Sequence, residues 1–317
     1  MADPRSLPPD RARRPIFVLG MQRSGTTWVA NMLAAHPRVA AVTAVRHRGV
    51  HESIFFSHFA RTYGDIAVEA NFERFFADFV SCEYFQLTGL DAEMLRAGRP
   101  RSYVEAFRLV MDLFAARRQA THWVEKSPHH TAWCDELATW FPDAQFVALL
   151  RDPVAQSRSR LYAYGRMPPS GLRRRAALIK AGCAIGCYRA LIEAFAEQHA
   201  GRCMVLRFER LCADWRIEAS RLATFLELEG PPDLFTPQFV RNSSFSDQTS
   251  PPDLSFPDSA LVRVADTMSH VFPTALARSL VQRRRDAEPI WPNWCWRGSK
   301  PFAAVAPSNP NQLRENA

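Results

Sequence analysis

A loop framed by two glycines near the start of the chain has the residue types of an anion-binding site. The stretch FVLGMQRSGTTW, residues 17–28, contains an apolar run that ends at Gly20 and a second glycine at Gly25. This spacing is that of the G-x-x-x-x-G-K-[ST] loop, whose backbone N–H groups surround phosphate oxygens at the start of a helix. Thr26 stands where that loop has its lysine, and the nearest cation is Arg23. The loop therefore suits an anion, but it lacks the lysine that reaches the outer phosphates of a nucleoside triphosphate.

The hexapeptide RSGTTW, followed by a helix-forming stretch and a proline, resembles the 5′-phosphosulfate loop of the sulfotransferases that use 3′-phosphoadenosine 5′-phosphosulfate (PAPS). The resemblance implies that this loop binds the phosphosulfate of the donor and that the tryptophan after it lies near the adenine. The residues assigned to the donor in this way are Arg23, Ser24, Gly25, Thr26, Thr27 and Trp28. A fixed guanidinium at Arg23 suits a terminal group with one charge fewer than a phosphate.

A second motif of the same family follows a later apolar run. In the family, an arginine at the end of a strand and a serine eight residues further on bind the 3′-phosphate of the donor, and Arg151 and Ser159 have this spacing. The guanidinium offers fork-like donors to a phosphate, and the serine lies about two helical turns further along. Asp152 before Pro153 is predicted to cap that helix. An ion pair with a carboxylate is the alternative role for Arg151.

The segment VHESIFF, residues 50–56, resembles the E-x-x-F-F segment of glycan sulfotransferases and is related in position to the glutamate of tyrosylprotein sulfotransferases. The resemblance makes Glu52 the candidate base. A base is needed because an acceptor hydroxyl must release its proton as its oxygen attacks sulfur. His51 is the neighbouring alternative, since an imidazole titrates near neutral pH. The ordinary role of such a glutamate is that of a solvated surface carboxylate.

The segment WVEKSPHH, residues 123–130, resembles the EK[ST]P segment of glycan and tyrosylprotein-like members. This resemblance implies that Lys126 stabilises charge on the leaving phosphate and that Glu125 holds the lysine in place. The small cytosolic members have a catalytic histidine soon after a lysine near this strand. His129 and His130 are out of register with that histidine by one and two positions, and surface polar residues are their alternative role.

The segment VLRFERL, residues 205–211, resembles the strand end near the adenine in this family, where Phe208 stands for a tyrosine. An aromatic ring at this position retains stacking and loses a hydroxyl. The resemblance as a whole covers residues 15–228.

Alternating strand and helix patterns are predicted to position these residues. Short apolar runs predict strands over residues 16–19, 39–42, 122–125, 145–150 and 203–208. Helical spacing of apolar residues predicts helices over residues 26–37, 70–85, 103–118, 131–141, 153–164, 172–199 and 214–228. The alternation predicts an α/β, P-loop-like three-layer fold, in which helices flank a central parallel sheet of about five strands and the ligand binds beyond the carboxyl ends of the strands. Beyond Gly230 the pattern fades.

Bulk composition limits the remaining classes. The chain has 317 residues, of which 47% are hydrophobic and 23% charged, as in a globular protein. We expect a disordered arm over residues 1–14, one domain over 15–288 and a proline-rich tail over 289–317. The sequence has no apolar run of about eighteen residues, and we expect a cytoplasmic protein with no membrane span. The net charge of +8 comes from scattered arginines, which argues against nucleic acid.

Together these motifs predict O-sulfation of an acceptor hydroxyl by PAPS without a metal. Glu52 is the predicted base, and Arg23 with Lys126 is predicted to neutralise charge on the leaving group. A P-loop kinase for a small molecule and a catalytically silent nucleotide-binding protein are the alternatives. A sugar, lipid, peptide tyrosine or secondary metabolite all remain open as acceptor, and the aromatic-rich region 55–85 is expected to line or cover the acceptor side.

Overall fold

The described residues form seven strands, and five of these make up the central sheet. The computed structural model describes residues 13–45, 48–163, 167–237 and 252–287. The strands are β1 (Arg14–Leu19), β2 (Val39–Ala41), β3 (Thr43–Ala44), β4 (Gly49–Val50), β5 (His122–Glu125), β6 (Gln145–Leu150) and β7 (Cys203–Arg207). The predicted strands 16–19, 39–42, 122–125, 145–150 and 203–208 are confirmed with ends shifted by at most two residues. The arm up to residue 12 and the tail 289–317 lie outside the described residues, and Arg14, assigned to the arm, belongs to β1.

The central sheet has the strand order β2-β5-β1-β6-β7, and all of its neighbouring strands are parallel. The short strands β3 and β4 form a separate antiparallel pair. In the register of the sheet, Ile16 on β1 lies opposite Val124 on β5 and Gln145 on β6. The predicted parallel α/β sheet of about five strands is therefore confirmed. The carboxyl ends of β1, β5 and β6 meet at one edge, where ligands bind in this class of fold.

Helices cover both faces of the sheet. They are α1 (Thr26–Ala35), α2 (Glu69–Ser81), α3 (Glu83–Thr88), α4 (Ala92–Gly98), α5 (Tyr103–Arg117), α6 (Cys134–Trp140), α7 (Pro153–Leu161), α8 (Gly171–Gln198), α9 (Phe208–Ala213), α10 (Trp215–Leu226), α11 (Phe256–His270) and α12 (Thr274–Ala287). A 3₁₀ turn, Pro128–Trp133, replaces the first part of the helix predicted over 131–141. Asp152 caps α7 as predicted, since its Oδ1 accepts the N–H of Ala155 at 2.8 Å.

Alternate residues of β1 point into two different cores, because side chains of a strand alternate between its faces. Phe17 and Leu19 belong to the larger core, whereas Ile16 and Val18 belong to the smaller one. The larger core takes up most of the aromatic residues of region 55–85, and the fully buried ones are Phe55, Phe56, Phe59, Phe75, Phe79 and Phe85. These rings are buried in the core against the sheet, and they do not line an open acceptor cleft.

Two helices follow the residue at which the sequence pattern fades. Helices α11 and α12 both pack against α8. The buried positions of α11 include Ala265, Asp266 and Ser269, which are small or polar and leave a weak apolar pattern. Gly182 and Gly186 on α8 allow the two backbones to approach closely, since an added Cβ at Gly182 would lie 2.6 Å from the Val262 carbonyl oxygen.

None of the described helices is both long and apolar enough to cross a lipid bilayer.

The close contact of α8 with α11 makes a prediction about stability. Alanine at Gly186 would drive its Cβ into the backbone oxygen of Asp266, which has little freedom to move. Gly186→Ala should therefore lower the free energy of unfolding by about 1–3 kcal/mol, although alanine is the better helix former by about 1 kcal/mol. Urea unfolding followed by circular dichroism measures the change.

Gly98→Ala is the matched control, because the Cβ added there would meet the flexible end of the Leu109 side chain. It should be close to neutral. Equal losses in the two variants would contradict the role given to the α8–α11 contact.

Candidate active site

The glycine loop between β1 and α1 has backbone angles that favour glycine. Gly25 is the N-cap of α1 with φ of 103°, in the left-handed region. An added Cβ at Gly25 would overlap the ring of Phe208. Arg23 also has a positive φ, 73°, which is unusual for a residue with a side chain and turns the loop tightly before the helix. The loop therefore presents the N-terminus of α1, with its unpaired N–H groups, as an anion-binding surface.

Side chains from three neighbouring elements hold the carbonyl groups of the loop. The Gly20 oxygen accepts a hydrogen bond from Thr131 Oγ1 at 3.0 Å, and the same hydroxyl oxygen accepts the Gly20 N–H at 2.8 Å. The Gln22 oxygen accepts from Gln156 Nε2 at 2.9 Å. With these carbonyl groups and the Gly20 N–H engaged, the donors available to an anion are the N–H groups at the start of α1. Sequence reasoning missed Thr131 and Gln156, whose only signal is a polar residue just beyond a strand or within the first turns of a helix.

Two arginines and a serine meet at this loop. Arg23 Nε donates to Ser159 Oγ at 3.0 Å, and Arg151 Nη1 donates to the backbone oxygen of Arg23 at 2.9 Å. Burial, and then the nearby charge of Arg23, lower the pKa of the Arg151 guanidinium. Two guanidinium groups held this close repel each other unless an anion lies between or beside them. The structure thus brings Arg23, Arg151 and Ser159 together as an anion site.

Several buried polar atoms at the loop have no hydrogen-bond partner in the described part of the chain. They are Ser24 Oγ, Trp28 Nε1 and Arg151 Nε. Buried polar groups in native proteins are normally paired, because an unpaired donor costs about 1–3 kcal/mol. A ligand with several acceptor oxygens would satisfy such donors. The residues present at the loop therefore fit a nucleotide with phosphate or sulfate groups.

Aromatic rings continue the site beyond the arginines. The Arg151 guanidinium lies 4.2 Å from the ring centroid of Phe208, in a cation–π contact. Phe208 in turn contacts Trp28 edge to face, with ring centroids 5.8 Å apart. One face of Phe208 is thus covered by Arg151, so the ring helps to position that arginine. Together with Trp28, the ring also forms an aromatic surface beside the loop.

An ion pair joins Glu52 to Lys126, the residue that follows strand β5. Lys126 Nζ lies 2.7 Å from Glu52 Oε1. The lysine side chain is 3% exposed and that of the glutamate 34% exposed, so the carboxylate faces the solvent side of the pair. The structure therefore brings the predicted base and the predicted cation into direct contact, with the carboxylate accessible.

The predicted partner of Lys126 was wrong. Glu125 does not hold the lysine, because its carboxylate is buried and engaged elsewhere. Its Oε1 accepts from Ser53 Oγ at 2.7 Å and from Ser127 Oγ at 2.5 Å, and its Oε2 lies 2.9 Å from His130 Nδ1. The side chains of Glu125 and Lys126 point to opposite faces because they are adjacent at the end of a strand.

The Glu125 cluster fixes the segment that carries Glu52. Ser127 Oγ accepts the N–H of Ile54 at 3.0 Å, and His130 Nε2 accepts the N–H of Phe56 at 3.1 Å. Ile54 has φ of +46°, a costly conformation for a β-branched residue. These hydrogen bonds hold that conformation and set Glu52 opposite Lys126. Sequence reasoning missed Ser53 and Ser127, although Ser127 lies within the EKSP motif.

Hydrogen bonding also decides between the candidate histidines. His51 Nδ1 lies 2.8 Å from the Glu52 backbone oxygen and Nε2 lies 3.1 Å from Glu83 Oε2, so both of its ring nitrogens face acceptor oxygens. His130 is fully buried, and its Nε2 already accepts from a backbone N–H. His129 Nε2 lies 3.2 Å from Gln22 Nε2, beside the loop. The alternative role of His129 and His130 as surface polar residues is excluded, since both are buried.

The described residues contain no group of three or more His, Cys, Asp and Glu side chains arranged to hold a metal ion.

Comparison with known proteins gives one family. The sequence profile described as the sulfotransferase family matches residues 15–232 of the chain. No curated protein sequence matches it significantly.

Several solved structures are distantly similar to this chain. They include the sulfotransferase domain of the olefin synthase of Synechococcus PCC 7002, at 17% identity and a TM-score of 0.46, over 89% of this chain and 98% of that one. A sulfotransferase domain from the curacin biosynthetic pathway is 19% identical with a TM-score of 0.48, over 88% and 99% of the two chains. A sulfotransferase from Alicyclobacillus acidocaldarius is 14% identical with a TM-score of 0.43, over 84% and 99%.

The buried Glu125 cluster predicts a pH-dependent contribution to stability. Burial alone would raise the pKa of the Glu125 carboxyl, but His130, Ser127 and Ser53 lower that pKa below its ordinary value of 4.5. Because the pKa is lower in the folded chain than in the unfolded one, the ionised carboxylate stabilises the fold above pH 4.5, and this stabilisation is lost as the pH falls through the folded-state pKa.

Glu125→Gln should accordingly lower the free energy of unfolding by about 2–4 kcal/mol at neutral pH, since an amide cannot replace both accepting oxygens. The difference from wild type should shrink below pH 4.5. Chemical denaturation across this pH range tests it, with Glu93→Gln at a side chain that is 70% exposed as the control. A difference that does not change with pH would show that ionisation of Glu125 is unimportant.

Proposed function

The chain belongs to the sulfotransferase family, and on that premise we propose that it transfers the sulfuryl group of PAPS to an acceptor hydroxyl. The observation that carries the proposal is the convergence of Arg23, Arg151 and Ser159 at the glycine loop. A nucleotide with both a 5′-phosphosulfate and a 3′-phosphate needs cationic donors at two points, and this site supplies them side by side.

The donor residues divide between the two ends of the nucleotide. The N–H groups at the start of α1, with Arg23, Ser24, Thr26 and Thr27, would bind the 5′-phosphosulfate. Arg151 and Ser159 would bind the 3′-phosphate.

The adenine would lie against the aromatic surface of Trp28 and Phe208. The unpaired buried donors Ser24 Oγ and Arg151 Nε support this division, because each would gain an oxygen acceptor.

When bound, PAPS supplies a sulfuryl group that forms a bond to the acceptor oxygen as its bond to the bridging phosphate oxygen breaks, which releases 3′-phosphoadenosine 5′-phosphate. Glu52 would accept the proton of the acceptor hydroxyl, because its carboxylate faces solvent at the pair with Lys126. Lys126 and Arg23 would neutralise the negative charge that develops on the leaving phosphate. Gly25 lets the ring of Phe208 pack directly against the loop.

Two observations weigh on the alternative functions. A P-loop kinase is disfavoured by Thr26 at the position of the loop lysine. A catalytically silent nucleotide-binding protein is disfavoured by the Glu52–Lys126 pair, since a buried lysine held against an accessible carboxylate is not needed for nucleotide binding. The cytoplasmic location, the absence of a metal requirement and the identity of the acceptor stay predictions from the sequence.

The division of the donor site gives a binding prediction. Arg151→Ala should weaken binding of 3′-phosphoadenosine 5′-phosphate by about 10–100-fold, because a charge-assisted hydrogen bond is worth about 1.5–3 kcal/mol. The affinity for the analogue without the 3′-phosphate should hardly change. Calorimetry measures both affinities, and Arg158→Ala on α7, at a residue that pairs with Asp253, is the control.

If both affinities fell together in Arg151→Ala, the arginine would be structural.

3′-Phosphoadenosine 5′-phosphate should raise the melting temperature of the wild type far more than Mg-ATP does. Equal shifts would favour the kinase.

Acceptors of different acidity distinguish the proposed role of Glu52 from that of Lys126. Glu52→Gln keeps the size of the side chain but cannot take a proton, and it should lower kcat on alcohols by about 100-fold. An acidic phenol loses its proton readily, so it should restore much of this loss in Glu52→Gln. It should not restore the loss in Lys126→Ala, whose defect lies at the leaving group. Affinity for 3′-phosphoadenosine 5′-phosphate is the control.

Wild-type kcat in Glu52→Gln on alcohols would exclude Glu52 as the base and leave His129 as the first histidine to test, since both ring nitrogens of His51 face acceptor oxygens and His130 Nε2 accepts a backbone N–H.

A further inference from the structure

Asn31 is a polar residue in the buried middle of helix α1. It is 6% exposed, and the residues on either side of it from 29 to 33 are apolar and buried. Asparagine is a poor helix former, and a buried amide is costly unless its hydrogen bonds are made. The hydrogen bonds of this side chain therefore indicate why an asparagine stands here.

The amide of Asn31 binds the backbone of the β3–β4 hairpin on both sides of Gly49. Its Nδ2 donates to the Arg48 oxygen at 2.9 Å, and its Oδ1 accepts the N–H of Val50 at 2.9 Å. Gly49 has φ of 122°, and a Cβ added there would overlap the Asn31 amide. The asparagine and the glycine thus interlock, and this contact fixes strand β4 to helix α1.

Strand β4 leads directly into the segment that carries the proposed base. Glu52 follows Val50 by two residues, and the N–H of the intervening His51 donates to the Val42 oxygen at 2.9 Å. The Glu125 cluster holds the chain after Glu52, through the N–H groups of residues 54 and 56. Asn31 holds the chain before it. The base is therefore anchored from both sides, and the anchor before it comes from α1.

Helix α1 also carries the groups proposed to bind the donor. Thr26 and Thr27 are its first two residues, and Asn31 follows Thr27 by four residues, so it lies one turn further along the same side of the helix. One short helix thus contacts the donor site at its start and the base segment one turn later.

We propose that Asn31 is a positioning residue, which sets the distance between Glu52 and the donor by fixing strand β4 to α1. The inference rests on the proposed function, because it takes Glu52 as the base and the start of α1 as the donor site. Attack on sulfur needs the acceptor oxygen and its base at a fixed distance from the donor, and a misplacement of about 1 Å can lower the rate by about 100-fold. Both hydrogen bonds of Asn31 go to backbone groups, so the residue acts through Glu52.

Asn31→Leu keeps the approximate size of the side chain and removes both hydrogen bonds. It should lower kcat on alcohol acceptors by about tenfold or more and leave the affinity for 3′-phosphoadenosine 5′-phosphate within about twofold of wild type. Acidic phenols need little help from a base, so on them the loss should be less than about threefold. In a Glu52→Gln background the same change should have almost no further effect on alcohols, because the effects of residues that act as a unit do not add.

Asn71→Leu is the matched control. The Asn71 amide also bonds to a backbone oxygen, that of Asp65 at 2.9 Å, and it also lies beside a glycine of positive φ, Gly64. Asn71 is in the first turn of α2, outside the segments that carry Glu52 and the glycine loop. Its replacement should change neither kcat nor the ratio of the rates on alcohols and phenols.

Gly49→Ala disturbs the same contact from the hairpin side, and it should reproduce the selective loss on alcohols even if Asn31→Leu fails to fold. Wild-type rates in both variants overturn the proposal. Equal losses on alcohols and phenols, or a loss of nucleotide affinity as large as the loss of kcat, overturn it by assigning Asn31 to the fold or to the donor site. Full additivity with Glu52→Gln overturns it as well.

Hydrogen exchange separates the inference from its premise. Residues 49–52 should exchange about tenfold faster in Asn31→Leu than in wild type, whereas residues 54–56 should keep their protection, since the Glu125 cluster holds them. Unchanged exchange of residues 49–52 overturns the proposal whatever the activity. A wild type that transfers no sulfuryl group to any acceptor would refute the proposed function, and the exchange result would still decide whether Asn31 fixes the segment before Glu52.

Discussion

The buried carboxylate of Glu125 is the interaction on which the geometry of the candidate site depends. It has no access to solvent, and it accepts hydrogen bonds from side chains that in turn hold two backbone N–H groups of the segment 54–56. A buried charge is tolerated only when it is fully hydrogen-bonded, so the surrounding groups have little freedom. That rigidity fixes the unusual backbone of Ile54 and the position of Glu52 against Lys126. The buried carboxylate of Glu125 thus determines the position of the accessible carboxylate of Glu52.

A similar separation of roles holds at the anion site. The donors that would contact a ligand are at the loop and at the start of α1, but Thr131, Gln156 and Arg151 determine where the loop lies, by occupying its carbonyl groups. Each of these comes from a different element, after β5, on α7 and after β6. The parallel sheet makes this possible, because it gathers the carboxyl ends of its strands at one edge.

The sequence was enough to predict the five strands and their parallel arrangement, because continuous apolar runs are local signals. It was not enough for the partner of Lys126. Adjacent residues at the end of a strand point to opposite faces, and the choice between Glu125 and Glu52 depends on a contact between residues 74 positions apart. It also missed α11 and α12, whose buried residues are few and mostly small. The sequence also could not show whether the aromatic residues of region 55–85 line a cleft or pack in the core, because phenylalanine is common in both.

One short stretch of chain serves both halves of the site. Lys126 contacts Glu52, Ser127 and His130 hold the segment 54–56, His129 lies beside Gln22, and Thr131 holds Gly20. Six consecutive residues thus tie the Glu52–Lys126 pair to the glycine loop, and a single insertion or deletion among them would put every later contact out of register. Helix α12 meets this stretch from outside, through contacts such as that of Arg285 with the Ala132 oxygen, so substitutions on α12 can reshape the surrounding surface without displacing either part of the site.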